Sequence, residues 1–286
     1  MSEFGKITIV GLGLIGGSLA FALKRSGSVA EVCGVDVDKD TLNYALDNGI
    51  IDFGSRDLEY SISNSDIVVI STYISAIPEI LKQISKVAAE DTIVTDVGSV
   101  KAMVVKSAED ILHGGINFVG GHPIAGTENS GVLFSRHDLF KGKNCILTPT
   151  TRTSGSALEK IKSLWTIADA NVIEMDPNLH DYVFAFVSHL PHVIAYSLIN
   201  SFITEDDCED ILRFSGGSLS DYTRIASSSP QMWRDVFSSN KDNVLKAISN
   251  FKNSLSEMEE AIRNDDRGLL ENVIKKAYKA RRENVK

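Results

Sequence analysis

The sequence is poor in cysteine, and the three cysteines present, Cys33, Cys145 and Cys208, are far apart and outside any CxxC pattern. An odd number of widely spaced cysteines argues against a disulfide framework, and no spacing suits a structural zinc site. Reduced thiols are typical of the cytoplasm. We therefore expect a cytoplasmic protein without a structural metal.

An excess of positive charge is also lacking. Lysine and arginine total 29 against 38 aspartates and glutamates, which gives a formal net charge of -9. Proteins that bind the phosphate backbone of nucleic acids usually carry basic surfaces. We therefore expect no nucleic-acid partner, and an anionic small ligand would need locally concentrated cations.

An apolar stretch at positions 7–23 contains no charged residue, but four glycines interrupt it at positions 11, 13, 16 and 17. Its length lies at the lower limit of the roughly 17 to 25 residues that a membrane helix needs. No small-residue cleavage site of a signal peptide follows it. We expect neither a membrane anchor nor a signal sequence here.

The remaining composition is that of a soluble globular protein, with 286 residues, 43% hydrophobic and 23% charged residues and a mean hydropathy of -0.01. At about 100 to 200 residues per domain, this length favours two domains.

Short β-branched runs alternate with helical patterns in the first part of the chain. This alternation predicts βαβ crossovers and a mostly parallel sheet. The strand pattern stops after Asp176 and Pro177. The predicted strands are 6–10, 31–35, 67–71, 92–96, 117–120, 145–148 and 171–175.

The second part of the chain has a helical period. Pro191 lies within the first apolar stripe, and because the stripe continues on both sides we expect a kink there. The first stripe is Val183, Val187, Leu190, Ile194 and Leu198, and the second is Val244, Ile248, Phe251, Leu255, Met258 and Ile262.

These patterns together predict an α/β protein in two domains. Residues 1–176 would form a Rossmann-type, doubly wound, mostly parallel sheet that binds NAD, and residues 177–286 an all-helical substrate and dimerisation domain. Little chain remains to cover the long apolar stripes. We therefore predict a homodimer that forms through the helical domain.

A GxGxxG pattern follows the first predicted strand and begins a helix, which is the context of a dinucleotide-binding turn. Gly11 permits the tight turn, Gly13 lets a pyrophosphate approach the backbone, and Gly16 lets helix and strand pack closely. The backbone at Leu14 and Ile15 then offers free N–H groups at a helix N-terminus.

Asp36 ends the second predicted strand, about 20 residues after the glycines, where a carboxylate can accept hydrogen bonds from the ribose hydroxyls of NAD. The next residues, Val37, Asp38 and Lys39, include no arginine to accommodate a 2′-phosphate. We therefore expect NAD rather than NADP. The alternative is a glycine turn in an α/β fold that binds no nucleotide.

His122 lies in the glycine-rich segment 120–128, after a predicted strand, and is expected on a loop at the carboxyl edge of the sheet. Ligands bind at that edge in open α/β sheets. A loop histidine alone is more often a surface residue. Ser99 follows another strand and could reach the same crevice, or could instead cap the helix that begins near Val100.

His189 and His192 are three residues apart and so share one helix face. Packed histidines, half of a metal site and donors in a substrate pocket remain open as interpretations. Arg224 is a candidate clamp for a carboxylate, although such an arginine more often forms a surface ion pair.

The sequence resembles the prephenate and arogenate dehydrogenases of tyrosine biosynthesis over nearly its whole length. The matching segments are 11–16, 96–101, 120–128, 188–192 and 215–235, and the strings GGHPIAGTE and SDYTRIASSSPQMWRD are the most specific. The resemblance implies an NAD-dependent oxidoreductase. Such an enzyme converts prephenate to 4-hydroxyphenylpyruvate, arogenate to tyrosine, or both, by hydride transfer to a nicotinamide with loss of CO2.

The resemblance also implies roles for individual residues, with His122 as the base on the ring hydroxyl, Ser99 as its partner and Arg224 as a ligand of the side-chain carboxylate. No metal is required. The other implied substrate-binding residues are Thr127, Glu128, Ser188, His189, His192, Asp221 and Trp233. The implied cofactor-binding residues are Gly11, Gly13, Leu14, Ile15, Gly16, Asp36, Ser71, Thr72 and Asp96.

Two alternative functions remain open from the sequence. One is a β-hydroxyacid-type NAD-dependent dehydrogenase, which would place a catalytic lysine on the first helix of the second domain. Positions 177–204 contain no lysine, which disfavours it. The other is a non-catalytic dinucleotide-binding dimeric sensor, which would need neither His122 nor Arg224.

Overall fold

The structure, a computed structural model, describes residues 3–127, 129–203, 213–214 and 216–284. In this part of the chain, eight strands form a single sheet in the order β3-β2-β1-β4-β5-β6-β7-β8. Neighbouring strands are parallel except for β6 and β7, which are antiparallel. The strands are β1 Phe4–Val10, β2 Val29–Val35, β3 Phe53–Ser55, β4 Ile67–Ile70, β5 Ile93–Asp96, β6 Asn117–Pro123, β7 Asn144–Thr148 and β8 Asn171–Glu174.

Helices connect all neighbouring strands in the chain except β6 and β7, and helices dominate the described chain after the sheet. Those between strands are α1 Leu14–Ser26, α2 Lys39–Asp47, α3 Leu58–Ile62, α4 Ile77–Val87, α5 Ala102–Ile111 and α6 Gly155–Ile167. Those after the sheet are α7 Pro177–Phe184, α8 Leu190–Ile203, α9 Gly217–Thr223, α10 Pro230–Ser239, α11 Lys241–Arg263 and α12 Arg267–Asn284.

Both faces of the sheet are covered, which explains its continuous apolar strands. Alternate residues of β4 join two different buried clusters, Ile67 and Val69 on one face and Val68 and Ile70 on the other. Leu19 and Leu23 of α1 and Leu164 and Trp165 of α6 belong to the first cluster, and Leu81 and Ile84 of α4 and Val104 and Val105 of α5 to the second. The predicted doubly wound, mostly parallel fold followed by helices is confirmed.

The structure differs from the sequence-based prediction in two strands. β3 has only three residues, Phe53–Ser55, and was not predicted because so short a run gives no periodic signal. β6 extends to Pro123, beyond its predicted end at 120, because the antiparallel partner β7 pairs with it as far as Pro123. His122 therefore lies within the last residues of a strand rather than on a loop.

The apolar stretch 7–23 contains the end of β1, the glycine turn and most of α1. Ile7, Ile9, Leu19 and Leu23 are each 0% exposed. A buried strand and a buried helix separated by a turn cannot form one membrane helix. The stretch is apolar because it forms the centre of the core.

A helical stretch runs from Pro177 to Ile203, through α7, a π-helical turn at Ala185–His189 and α8. Pro191 has no N–H group to donate to the carbonyl four residues before it, and the wide turn ends just before it. The sequence predicts a kink at Pro191, the structure has a π-turn just before it, and the helix continues beyond it as expected.

This helical stretch is apolar and only partly covered. By length and composition alone this helix could cross a membrane, and 22% of its apolar 18-residue segment is buried in the structure. A core helix of a soluble protein passes the same test. Leu179, Val187 and Ile203 are 51%, 64% and 62% exposed.

The chain forms two compact units, Met1–Asn240 and Lys241–Lys286. The first contains the sheet and the helices up to α10, and the second contains α11 and α12. The sheet ends at Glu174 and the helices that follow begin at Pro177. The predicted domain boundary at 176 stays a prediction.

Candidate active site

The glycine turn connects β1 to α1, where β1 lies between β2 and β4 in the sheet. Gly11 has a φ of 94°, and a Cβ there would collide with the Ser71 carbonyl oxygen. A Cβ on Gly16 would collide with the Gly11 carbonyl oxygen. A Cβ on Gly13 would meet nothing within 4 Å, so its backbone faces open space. The turn therefore has the geometry that the sequence predicts.

The first turn of α1 presents backbone donors beside this open space. Gly13 is the N-cap, and no side chain caps the helix. The N–H groups of the first turn, which includes Leu14 and Ile15, have no partner within an α-helix. These free donors and the positive end of the helix dipole suit a pyrophosphate.

Asp36 follows β2 and is held next to the glycine turn. Its Oδ2 atom accepts a hydrogen bond from the Leu12 N–H at 2.8 Å, and its Oδ1 atom accepts one from the Asp38 N–H at 3.0 Å. Each carboxylate oxygen has a further lone pair. The side chain is partly exposed and can accept hydrogen bonds from ribose hydroxyls.

Ser71 and Thr72 follow β4 and border the same turn. The Thr72 methyl group lies 2.9 Å from the position that a Cβ on Gly11 would take. Further along this loop, Ser75 donates through its hydroxyl to Asp235 of α10 at 2.5 Å. Its backbone N–H donates to the same carboxylate oxygen at 3.3 Å.

His122 lies near the carboxyl end of β6, opposite Ile146 of β7, and is partly exposed. Its Nδ1 atom is 2.8 Å from Nε2 of His180, on α7. Nδ1 of His180 is in turn 2.8 Å from Oδ1 of Asp181. His180 is 0% exposed and Asp181 is 2% exposed. A buried chain of hydrogen bonds thus leads from His122 to a carboxylate.

The sequence did not indicate His180 and Asp181 as partners of His122. In the sequence, His180 and Asp181 form a polar pair one turn into a largely apolar helix. Such a pair is not specific, because a helix can turn it either to solvent or to the core. His122 and His180 are 58 residues apart in the chain.

Ser99 lies in the loop between β5 and α5 and is partly buried. It does not cap α5, because the N-cap is Lys101 and has no side-chain capping bond. Instead, Asp181 of α7 accepts hydrogen bonds from the backbone N–H groups of Lys101, at 2.7 Å, and Ala102, at 2.9 Å. The Nδ1 partner of His122 in this structure is His180, so the predicted pairing of His122 with Ser99 stays a prediction.

The sequence assigns Asp96 to the cofactor, and in the structure its carboxylate is engaged within the protein. Its side chain is 0% exposed and forms a buried ion pair with Lys101. It also accepts hydrogen bonds from the N–H groups of Gly98, at 2.8 Å, and Gly121, at 3.1 Å. A carboxylate engaged in this way holds β5, β6 and the intervening loop together, and the role of Asp96 at the cofactor stays a prediction.

The imidazole rings of this region have depressed pKa values. Burial lowers the pKa of His122 well below its usual 6.5, and the charges of His180 and Lys101 add to the effect. Burial also lowers the pKa of His180, opposed by its hydrogen bond to Asp181. Both rings are therefore neutral near pH 7, so His122 is available as a proton acceptor.

His189 and His192 flank Trp233 of α10. The His192 ring stacks on Trp233 with centroids 3.6 Å apart, and its Nδ1 donates to the Ser188 carbonyl at 2.9 Å. Asn240 donates through its side-chain amide to Nδ1 of His189 at 3.2 Å. His189 is 0% exposed, whereas His192 is partly exposed. The packed-histidine interpretation therefore fits His189, and the pocket interpretation remains open for His192.

Other predicted substrate residues lie on exposed segments. Arg224 begins a short 3-10 turn, Arg224–Ser227, that contacts α8, and its side chain is exposed. Asp221 is exposed on α9, and Thr127 is exposed after β6. Glu128 lies outside the described residues. The predicted convergence of Arg224 with His122 stays a prediction.

No group of three or more histidine, cysteine, aspartate or glutamate residues in the described part of the chain could hold a metal ion. Cys33 and Cys145 are buried free thiols, and Cys208 lies outside the described residues. The groups available for chemistry at the sheet edge are imidazoles, a glycine turn and a carboxylate after β2.

Two family models match most of the chain. A family model described as the nucleotide-binding domain of prephenate dehydrogenase matches residues 19–174. One described as the dimerization domain of prephenate dehydrogenase matches residues 176–276.

Individual relatives agree with the family models. The chain is 35% identical to the prephenate dehydrogenase of Bacillus subtilis, over 91% of this chain and 71% of that protein. It is 34% identical to the cyclohexadienyl dehydrogenase of Zymomonas mobilis, over 98% of this chain and 96% of that protein. The crystal structure of A. aeolicus prephenate dehydrogenase with hydroxyphenyl propionate and NAD+ is 42% identical and superposes with a TM-score of 0.91 over 99% of this chain and 98% of that chain. The chain therefore belongs to the prephenate dehydrogenase family.

Proposed function

We propose that this protein catalyses the NAD-dependent oxidative decarboxylation of prephenate, arogenate or both. Family membership over both parts of the chain supports the reaction class. The observation that carries the proposal is a neutral, partly exposed imidazole, that of His122. It lies at the carboxyl edge of the sheet, the same edge at which the glycine turn follows β1. No observation favours the β-hydroxyacid dehydrogenase or the non-catalytic sensor.

The residues of the glycine turn and of β2 fit the cofactor. The open space at Gly13 leaves room for a pyrophosphate against the free N–H groups of α1. Asp36 would accept hydrogen bonds from the ribose hydroxyls, and its negative charge disfavours the 2′-phosphate of NADP. When bound, NAD supplies the nicotinamide ring that accepts the hydride. Ser71 and Thr72, which follow β4, would border that ring.

His122 has the role of the general base. Removing a hydride from the carbon of a ring hydroxyl requires the hydroxyl proton to leave too, because otherwise positive charge remains on that carbon. A neutral imidazole can take this proton at physiological pH. The ring carboxylate then leaves as CO2. The electron pair of the broken carbon–carbon bond enters the ring, which becomes aromatic, so the protein need not supply an electron acceptor.

The helices after the sheet would hold the substrate. Arg224 can bind a carboxylate through two hydrogen bonds, and His192 stacked on Trp233 presents a partly exposed imidazole edge. Ser188, Asp221, Thr127 and Glu128 complete the proposed substrate site, with His189 packed beneath it. The carboxylate that Arg224 binds is present in both prephenate and arogenate, so this contact does not distinguish them.

The proposed reaction is tested by incubating the protein with NAD and either prephenate or arogenate and following absorbance of the reduced nicotinamide. We expect reduction with at least one substrate, and parallel kinetics give the preference. The His122→Asn variant should lower kcat by about 10²- to 10⁴-fold, because asparagine cannot accept the proton. His113→Asn, at an exposed histidine, serves as the control. No reduction with either substrate refutes the proposed reaction, and a near-normal kcat in His122→Asn removes His122 from it.

We further propose a cytoplasmic homodimer. The partly uncovered apolar surface at Leu179, Val187 and Ile203 supports the dimer, as does the match to a dimerization domain. Sedimentation velocity at micromolar concentration should give a mass near twice the 31.1 kDa of one chain. A single species at the monomer mass would contradict the dimer.

A further inference from the structure

His122 is one end of a buried chain of three side chains that joins two parts of the fold. We propose that Asp181, acting through His180, sets the tautomer of His122, so that both are positioning residues for proton abstraction. This inference rests on the proposed function for its catalytic consequence. The tautomer of His122 is inferred from the hydrogen-bond geometry alone.

Asp181 is the fixed end of this chain. Its carboxylate accepts two backbone hydrogen bonds at the N-terminus of α5, from Lys101 and Ala102. Its carbonyl oxygen accepts a hydrogen bond from the Asn240 side chain at 2.7 Å. A helix N-terminus favours a negatively charged group. Asp181 therefore acts as an ionised acceptor and cannot donate a hydrogen bond to His180.

The ionised Asp181 determines which nitrogen of His180 carries the proton. A carboxylate accepts hydrogen bonds only, so Nδ1 of His180, 2.8 Å away, must be the donor. In the neutral ring, Nε2 of His180 then has a lone pair. The ring is held in place by stacking on Phe184, with centroids 4.4 Å apart and planes at 26°.

The lone pair on His180 in turn sets the tautomer of His122. Nδ1 of His122 lies 2.8 Å from Nε2 of His180 and must donate to it. A neutral His122 ring with its proton on Nδ1 has its lone pair on Nε2. That lone pair is what a general base needs to accept a hydroxyl proton. The opposite tautomer has a proton on Nε2 and could not act as a base there.

The charged groups around His122 are consistent with this arrangement. Lys101, the N-cap residue of α5, forms a buried ion pair with Asp96 of β5, and its positive charge contributes to the lowered pKa of His122. From α7 come His180 and Asp181, and from the π-turn comes His189, whose ring is neutral. Asp181 is the negative charge connected to His122 by hydrogen bonds. It therefore stabilises the imidazolium that forms as the proton arrives, as the aspartate of a catalytic triad does.

Asp181→Asn is the decisive variant. The amide NH2 group can donate to Nδ1 of His180, which moves the proton of His180 to Nε2. Nε2 of His180 would then donate to Nδ1 of His122, and the proton of His122 would move to Nε2. We expect kcat to fall by about 10²- to 10⁴-fold while KM for the substrate and Kd for NAD change little.

The tautomer can be measured without any activity. In protein labelled with ¹⁵N-histidine, the imidazole shifts of His122, assigned by their loss in His122→Asn, should show the proton on Nδ1 in the wild type and on Nε2 in Asp181→Asn. Asp176→Asn is the matched control, because Asp176 also accepts two backbone hydrogen bonds at a helix N-terminus, from Asn178 and Leu179. We expect Asp176→Asn to keep the wild-type tautomer and kcat.

Variants at His180 keep the inference testable if Asp181→Asn does not fold. The side-chain oxygen of His180→Gln can accept the hydrogen bond from His122, whereas His180→Leu cannot. We expect kcat to be at least about tenfold higher in the glutamine variant. Equal kcat in these two variants, or an unchanged His122 tautomer in folded Asp181→Asn, would overturn the inference. If the wild type reduces no NAD with either substrate, the proposed function fails, and the ¹⁵N shifts still decide the tautomer.

Discussion

Arg224 begins the 3-10 turn beside α8, with an exposed side chain, and this position suits a group that meets a soluble anion. We predict that Arg224→Ala raises KM for the substrate about 10- to 100-fold, from the loss of a charged hydrogen bond, and leaves kcat less affected. Steady-state kinetics and NAD titration give both quantities.

Arg263→Ala is the control for this prediction, because Arg263 is an exposed arginine that pairs with Glu259 on α11. It should leave KM unchanged. If Arg224→Ala instead abolishes NAD affinity with KM for the substrate intact, Arg224 belongs to the cofactor site.

Residues whose signal lies in a short contiguous motif could be predicted from the sequence. Gly11, Gly13 and Gly16 have the predicted backbone geometry, and Asp36 lies beside them, because turn, strand end and helix start follow one another in the chain. His180 and Asp181 could not be assigned in this way. Their contacts with His122 and with the N-terminus of α5 join positions 58 and 80 residues apart.

At the scale of elements, Asp235 connects α10 to the loop after β4. It is 6% exposed and accepts both hydrogen bonds of Ser75, while Arg234 pairs with its other oxygen at 2.8 Å. This loop contains Thr72, which we propose borders the nicotinamide, and α10 contains Trp233, which we propose borders the substrate. The hydrogen bonds of Asp235 hold α10 against this loop.

We predict that Asp235→Ala lowers the free energy of unfolding by about 1 to 3 kcal/mol, since it leaves the Ser75 donors without their partner. Urea unfolding of Asp235→Ala, Ser75→Ala and the double variant should give a coupling energy of about 0.5 to 3 kcal/mol. Glu79→Ala, which removes an exposed ion pair with Lys82, should change stability little. Additive effects of the Ser75 and Asp235 substitutions would contradict the connection.

The elements themselves could be predicted to different extents. Strands buried on both faces, such as β1 and β4, give strong β-branched runs, and their parallel order follows from the helices between them. β3 was too short to recognise, and the antiparallel direction of β7 is not encoded in its residues. The direction of β7 results from the path of the long connection 124–143, whose described residues contain one short 3-10 turn, Val132–Phe134.

At the scale of the whole molecule, four of the six histidines, His122, His180, His189 and His192, have pKa values lowered chiefly by burial. The pKa of His189 falls to about 4. Between this value and its usual 6.5, the unfolded chain binds a proton that the folded chain does not. Stability is therefore fully present above pH 6.5 and is lost as the pH falls.

We predict that the free energy of unfolding decreases between pH 7.5 and pH 5, with about 2 kcal/mol from His189 alone at pH 5. Urea unfolding at a series of pH values measures this slope. His189→Asn should make the slope shallower, whereas His113→Gln, at an exposed site, should not. A slope that His189→Asn leaves unchanged would show that another group is responsible.

The π-turn at Ala185–His189 determines the angular phase between the two halves of its helix. A π-turn is equivalent to one extra residue in an α-helix, and one residue corresponds to a rotation of about 100° about the axis. His180 and Asp181 lie before this turn, and His192 lies after it. Deletion of one residue within the turn would restore a regular helix. His192 would then be rotated by about 100° relative to His180 and Asp181. The directions in which the side chains of His180 and His192 point thus depend on the number of residues in this turn as much as on residue type.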